Sequence, residues 1–441
     1  MVTKKLFFLF SILLSMVGTE ALAHDIEVKN ADGVTIYYNY INNATELAVT
    51  FCGEYRPWKD NPYSGSVVIP EEVTYNGKTI KVTSIGEGAF SSSINVISVT
   101  IPNSVESIGS GAFENCDNIT SVDIPDNVTA IGEGAFRSCF SLTSIHIPNG
   151  LKIIEGSTFS GCYGLTSIVI PNGVTSIGAS AFCLCAGLTS INIPNSVKGI
   201  GDHAFAECSG LTSVTIPNSV TAIGERAFGG CTNLSSIVVD ANNSVYDSRN
   251  NCNAIIETNS NTLLQGCQST IIPNSVTSIG DFAFHNVNLN SFVIPNGIKY
   301  IGMDAFSYSK LTSVILPNSL ISIGKEAFRS CWNLTDVYCY AECVPEMGWG
   351  VFSWFLFEDA TLHVPENSLE IYSNADQWKV CKNIVALTDN DPKPTGITIV
   401  NNKAQTGEHY YSLDGQRLAT LRRGLNIMRT ADGKNKMLII R

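Results

Sequence analysis

Cysteine is the reactive residue that this chain spaces most regularly. Cys116, Cys139, Cys162, Cys185, Cys208 and Cys231 recur every 23 residues, and Cys331 stands in the same sequence setting. If the period is one structural coil, equivalent Cα atoms come within disulfide range. The side chains would then run parallel, and cysteine there acts as a small buried hydrophobe, which is the reading adopted. A zinc site fits poorly, because Cys183 and Cys185, the CxC pair, would point to opposite faces of a strand. Cys252 and Cys267 flank a hairpin-like segment and could meet at its base, as a disulfide or as two thiols.

One acid–base pairing follows from the same period. Asp123 and His146 are 23 residues apart, so they would lie side by side on an exposed face. A carboxylate there can orient and charge an imidazole for proton transfer, although such a pair is more often a surface hydrogen bond. No phosphate-binding glycine loop, HExxH or GxSxG motif occurs, and no paired-carboxylate cleft of the glycosidase kind can be found. We therefore expect no catalytic residue, no metal and no cofactor. The formal net charge of −12 argues against nucleic acid as a partner.

These side chains are positioned by a repeat. Phe90, Phe113, Phe136, Phe159, Phe182, Phe205 and Phe228 are 23 residues apart, and Phe284, Phe306 and Phe328 follow at a step of 22. Proline keeps the same step from Pro102 to Pro217 and again from Pro273 to Pro317. In the unit Leu211–Cys231, Leu211, Val214 and Ile216 should face inward along a short strand. Pro217-Asn218 should turn the chain, and Val220 and Ile223 should return inward. Gly224 reads as the residue that permits a tight corner, and Ala227-Phe228 closes the coil. One coil cannot bury these side chains alone, whereas stacking at about 4.7–4.9 Å places each on its equivalents. Between the inward positions lies an outward column, Thr100, Asp123, His146, Val169, Asn192 and Thr215, whose identity varies while the core positions barely change. A regular face with varying side chains suits an extended partner held by many weak contacts, although a simply solvated strand face has the same pattern.

The unit Leu-Thr-Ser-Val-Thr-Ile-Pro-Asn-Ser-Val-Thr-x-Ile-Gly-x-x-Ala-Phe-x-x-Cys resembles the BspA-type leucine-rich repeat of exported bacterial proteins, over about residues 67–387. The resemblance implies a right-handed, β-rich leucine-rich repeat solenoid of the α/β horseshoe class, with little regular helix. It also implies a tendency toward surface attachment, including binding of host matrix and plasma glycoproteins. Glu155, Thr158 and Asp126 depart from the pattern, at the corner glycine, the alanine and the turn asparagine.

Other segments complete the expected layout. Lys4 and Lys5, an apolar run over 6–17 and Ala21-Leu22-Ala23 read as a signal peptide, 1–23, cleaved before His24. That run is too short to span a bilayer, and no later stretch reads as a transmembrane segment. The expected product is secreted or held at the cell surface. Residues 24–66 read as an N-terminal β cap and 67–387 as the solenoid. Within it, 238–270 is an extended unit with a hairpin about Asn259-Ser260-Asn261, and 334–387 is a C-terminal cap with a short helix, N-capped by serine, over 368–378. The stretch 388–395 reads as a linker, and 396–441 as a small β-rich module with a net charge of +5. That module resembles the C-terminal domains of exported Bacteroidetes proteins, some of which are sorting signals. The favoured expectation is macromolecular binding, to a host or neighbouring-cell protein or glycan. The alternatives are a structural surface spacer and a glycan-active enzyme.

Overall fold

The computed structural model describes residues 24–52, 63–353 and 357–394, together with the backbone of four short strands between 409 and 440. The predicted signal peptide lies outside the described residues.

The chain winds into a β-solenoid of about 13 turns with few helices, the architecture of a leucine-rich repeat protein. Most coils contribute short stretches that pair in parallel with their neighbours on one or both of two faces, and the outward segments around His146, Val169 and Asn192 form no regular strand. One ladder contains Ser107–Ile108 and Ala130–Ile131, then Ile153–Ile154, Ser176–Ile177, Gly199–Ile200 and Ala222–Ile223. The other carries the outward column: Val96–Thr100 pairs with Ser121–Asp123 and Ser213–Ile216 with Ser236–Val239. It resumes in the five strands from Ser291–Val293 to Asn383–Ala386.

The phenylalanines form the spine of the core. From Phe90 to Phe228 consecutive rings are stacked, with centroids 5.0 to 5.7 Å apart and planes within 13° of parallel. All are buried. The register holds because each phenylalanine N–H from Phe90 to Phe205 donates to the residue before the next phenylalanine, as in Phe113 to Ala135 and Phe182 to Ala204. A second ring stack runs from Phe284 through Phe306 and Phe328 to Phe352. Tyr63 extends the first stack, 4.5 Å from Phe90.

The two stacks belong to separate hydrophobic clusters that meet at the extended unit. There Ala254–Glu257 and Thr262–Gly266 form an antiparallel hairpin, whose second strand pairs in parallel with Ser278–Ile279. Gly266 donates to the Ala283 carbonyl, the bond that a phenylalanine makes in a regular coil. A Cβ at Gly266 would sit 2.1 Å from the Phe284 ring, so only glycine can wedge here.

One expectation about local geometry is sharpened and one needs correction. Gly224 and its equivalents serve the corner without adopting a left-handed conformation. Their missing Cβ makes room for the preceding coil: at Gly224 it would meet Asp202 N at 2.4 Å and Gly201 C at 2.6 Å. The left-handed conformation falls elsewhere, on residues such as Ser92, Asn115 and Ser138. Near the C-terminal end the α-helix is limited to Leu369–Asn374, and Ser368 does not cap it through its side chain. The Ser368 hydroxyl donates instead to the Glu342 carbonyl, 2.9 Å away, tying the helix to the last coils.

Strands Ile26–Lys29, Thr35–Ile41 and Glu46–Thr50 form an antiparallel meander, and the third pairs with Lys78–Ile85. The four strands between 409 and 440 form an antiparallel sheet of their own. The remainder of the expected 396–441 module lies outside the described residues.

Candidate functional site: the outward strand face

The in–out alternation of the repeat decides which side chains face out, in segments that form a regular strand at Thr100, Asp123 and Thr215 and none at His146, Val169 and Asn192. Ile145, Ile147, Ile168, Ile170, Ile191 and Ile193 are buried, so the residue between each pair is presented to solvent. Thr100, Asp123, His146, Val169, Asn192 and Thr215 are all exposed. Thr100 is the register partner of Asp123, and Thr215 that of Val238. Val169, at the centre of the column, is 78% exposed. An apolar side chain held in water on a rigid face is a contact that a partner could bury.

His146 does pair with a carboxylate, but the carboxylate is Asp126. His146 Nε2 lies 3.1 Å from Asp126 Oδ1, and that same oxygen accepts the backbone N–H of Asn149 at 3.3 Å. The hydrogen bond from His146, then that from Asn149, holds the Asp126 carboxyl below its usual range. Asp126 stands in the turn, where other coils place asparagine, and meets His146 and Asn149 of the next coil. Both side chains are largely solvent-exposed. A solvated pair of this kind provides a polar recognition point and no enclosed site for chemistry.

The face is not uniform along its length. It is open from Thr100 to Val293, but Ile315 is only 6% exposed. At that end Tyr340 donates to the Pro392 carbonyl, Asn296 to that of Pro394, and Pro394 is itself buried. The polar segment ending at Pro394 therefore lies back against the final coils, and among the described residues the earlier ones stay uncovered. Sequence reasoning missed this contact, for which the tyrosine-rich stretch Tyr338–Tyr340 was the available signal. It also missed the exposed stack of Phe140 on Tyr163, centroids 5.3 Å apart.

The repeat cysteines are thiols with a specific task. Cys116 donates to the Phe90 carbonyl at 3.0 Å, and Cys139, Cys162, Cys185, Cys208 and Cys231 repeat the contact at 3.1 to 3.2 Å. Cysteine here satisfies a buried carbonyl with a group little larger than a methyl. The disulfide considered between Cys252 and Cys267 is not formed. Cys252 Sγ faces the Ala254 carbonyl, and Cys267 Sγ faces that of Asn253, so the two thiols serve different acceptors.

Burial pushes the Cys116, Cys162 and Cys208 thiols up to about 12. At pH 8 the native chain should expose Cys52 and Cys343 to Ellman's reagent within seconds, while the ladder cysteines react only on unfolding. Equal reaction of all fourteen would contradict this packing. The same shift has a pH signature. Thiols raised in the folded state stabilise fully below the unfolded value of about 9, and that stabilisation fades as pH climbs toward 12.

No group of three or more metal-ligating side chains occurs among the described residues, and no helix there is long and apolar enough to cross a membrane.

Comparison with known proteins agrees with this architecture. The family model for the BspA type leucine rich repeat region matches in overlapping segments, 71–186, 152–260 and 255–384. A leucine-rich cell surface protein from Faecalibacterium prausnitzii A2-165 is similar at 25% identity and a TM-score of 0.60, over 83% of this chain and 96% of its own. The pneumococcal vaccine antigen PcpA matches 83% of the chain and 86% of its own at 19% identity and a TM-score of 0.51, a likeness of fold alone. No curated protein matches. With the matched segments covering most of the chain, this protein belongs to the BspA-type leucine-rich repeat family.

Proposed function

We propose that the chain is an exported surface protein that binds another macromolecule, a glycoprotein or glycan of a host or neighbouring cell, and catalyses no reaction. The observation that carries this reading is the open outward face, with Val169 at 78% exposure between the polar side chains of His146 and Asn192. Rigid stacking holds these groups in register, so a partner that matches the spacing loses little entropy to ordering this surface. The similar cell surface protein from Faecalibacterium supports a location at the cell exterior. The signal peptide read in residues 1–23 accords with that location.

The test is capture of mucin and of serum glycoproteins by the immobilised chain. Val169→Lys should reduce the retained glycoprotein by about tenfold or more, since it buries a charge where an apolar contact was offered. Retention unchanged in both Val169→Lys and His146→Ala would remove the outward face from the binding site. Turnover of any captured glycan would overturn the non-catalytic reading.

A further inference from the structure

The final coils carry a cleft that the repeat itself does not require. It has a volume of about 580 Å³, and its lining includes Trp332, Trp349, Phe352, Glu326, Arg329 and Gln377. Trp349 is 74% exposed and Trp332 59%. Trp349 follows the corner glycine, a position that earlier coils fill with Asp202, Glu225, Asp281, Met303 and Lys325. None of those side chains enters the core, so coil packing gives no reason for an indole there. Its exposed ring costs solubility without stabilising the stack.

Three observations select the ligand. The size fits a small molecule or one to two rings of a polymer, well below a protein interface. The charges in the lining balance: Arg329 Nη1 donates to Glu326 Oε2 at 2.6 Å, so neither an anion nor a cation gains a net partner. The lining is mainly apolar but carries a few polar groups: Gln377, whose Nε2 donates to the Met347 carbonyl at 2.9 Å, and the Ser330–Ser353 pair. An aliphatic side chain would desolvate those groups without answering them. A neutral ring with one apolar C–H face and hydroxyls around its edge answers both features. Lys325 Nζ lies 5.7 Å from the Trp349 ring centre and braces the indole from its own coil.

We propose that this cleft is a carbohydrate subsite, in which a neutral pyranose ring stacks on Trp349 with its hydroxyls directed to Gln377 and the Glu326–Arg329 pair. The proposal deepens the glycan-binding reading and rests on it, but places the contact at the last coil rather than on the strand face.

The test is calorimetric titration of the purified chain with cellohexaose, mannohexaose, galactohexaose and chitohexaose. At least one should bind, with a blue shift in tryptophan emission. Trp349→Ala should weaken that binding by about tenfold or more, and Trp349→Phe should recover part of the loss. Because Trp349 is exposed, both variants should keep the parent's thermal midpoint, which separates lost binding from lost folding. Binding by none of the four sugars overturns the proposal, as does binding that survives Trp349→Ala. Uptake of an apolar dye in place of every sugar would also overturn it, marking a peptide-docking groove. Loss of sugar binding here with glycoprotein capture intact would sink this subsite alone. Loss of capture in every arm, with sugar binding intact, would sink the strand-face reading.

Discussion

Phe182→Ala should destabilise the protein by about 3–5 kcal/mol, the cost of a large cavity in a core that cannot collapse around it. Phe182 is fully buried, and its ring is stacked on Phe159 at 5.4 Å and on Phe205 at 5.2 Å. Both neighbours are fixed by their own coils, and neither can move into the gap without breaking its bond to the next alanine. In a stack where each coil touches only its neighbours, the damage should also be local. Hydrogen exchange should show protection lost over the coils of Phe159, Phe182 and Phe205, and retained around Phe306, which belongs to the second cluster. A loss below about 1 kcal/mol, or one spread evenly over both clusters, would show that the ring column does not carry the stability assigned to it.

The spine was legible because identical side chains at a fixed period have one economical arrangement, each beside its copy. The same logic located the outward column. It failed where a side chain reaches beyond its own register. His146 bonds to Asp126 rather than to Asp123, reaching the turn of the preceding coil, where the same carboxylate also accepts from Asn149. The signal was present: Asp126 is the acid standing in a turn that other coils build with asparagine. The aromatic cleft lay beyond pattern reasoning for the opposite reason. Trp332 and Trp349 come from successive coils, at positions where the repeat tolerates anything exposed, and no period links them. The contact of Asn296 with Pro394 spans 98 residues, a separation that no local rule anticipates.

That contact and the opening of the strand face are connected. A strand face that binds an extended partner must stay uncovered, and this chain covers it only at Ile315 and beyond, where outward positions turn large and aromatic. Tyr338 stacks on His363 with centroids 4.2 Å apart, and His363 Nε2 lies 3.2 Å from Asp336 Oδ1. The early coils carry small or isolated side chains suited to a transient partner. The late coils carry a packed surface suited to a permanent one, the chain's own segment ending at Pro394.

Gly201→Val should cost about 3 kcal/mol, and natural variation within the chain already shows the direction of the effect. A Cβ at Gly201 would lie 2.6 Å from Ala179 N and 2.7 Å from Gly178 C, which are backbone atoms with no rotamer to yield. The coils must therefore separate. Glu155 is the place where the solenoid already accepts a side chain at this corner, and the consequences are visible. The short-strand ladder stops at Ala130–Ile131 and restarts at Ile153–Ile154. Gly109, Gly132, Gly178, Gly201 and Gly224 each donate to an isoleucine carbonyl of the preceding coil, whereas among the described residues Glu155 makes no such bond. The Phe136–Phe159 spacing is 5.7 Å, the widest in its stack. Placing valine at Gly201 should open a second gap of this kind, read as a lowered denaturation midpoint and faster exchange of the Gly201 amide. The reciprocal change, Glu155→Gly, should close the existing gap and stabilise by about 0.5–2 kcal/mol. If Gly201→Val leaves the midpoint unchanged, contact between coils is not what demands glycine at this corner. If Glu155→Gly destabilises, the interrupted ladder has a cause other than the glutamate.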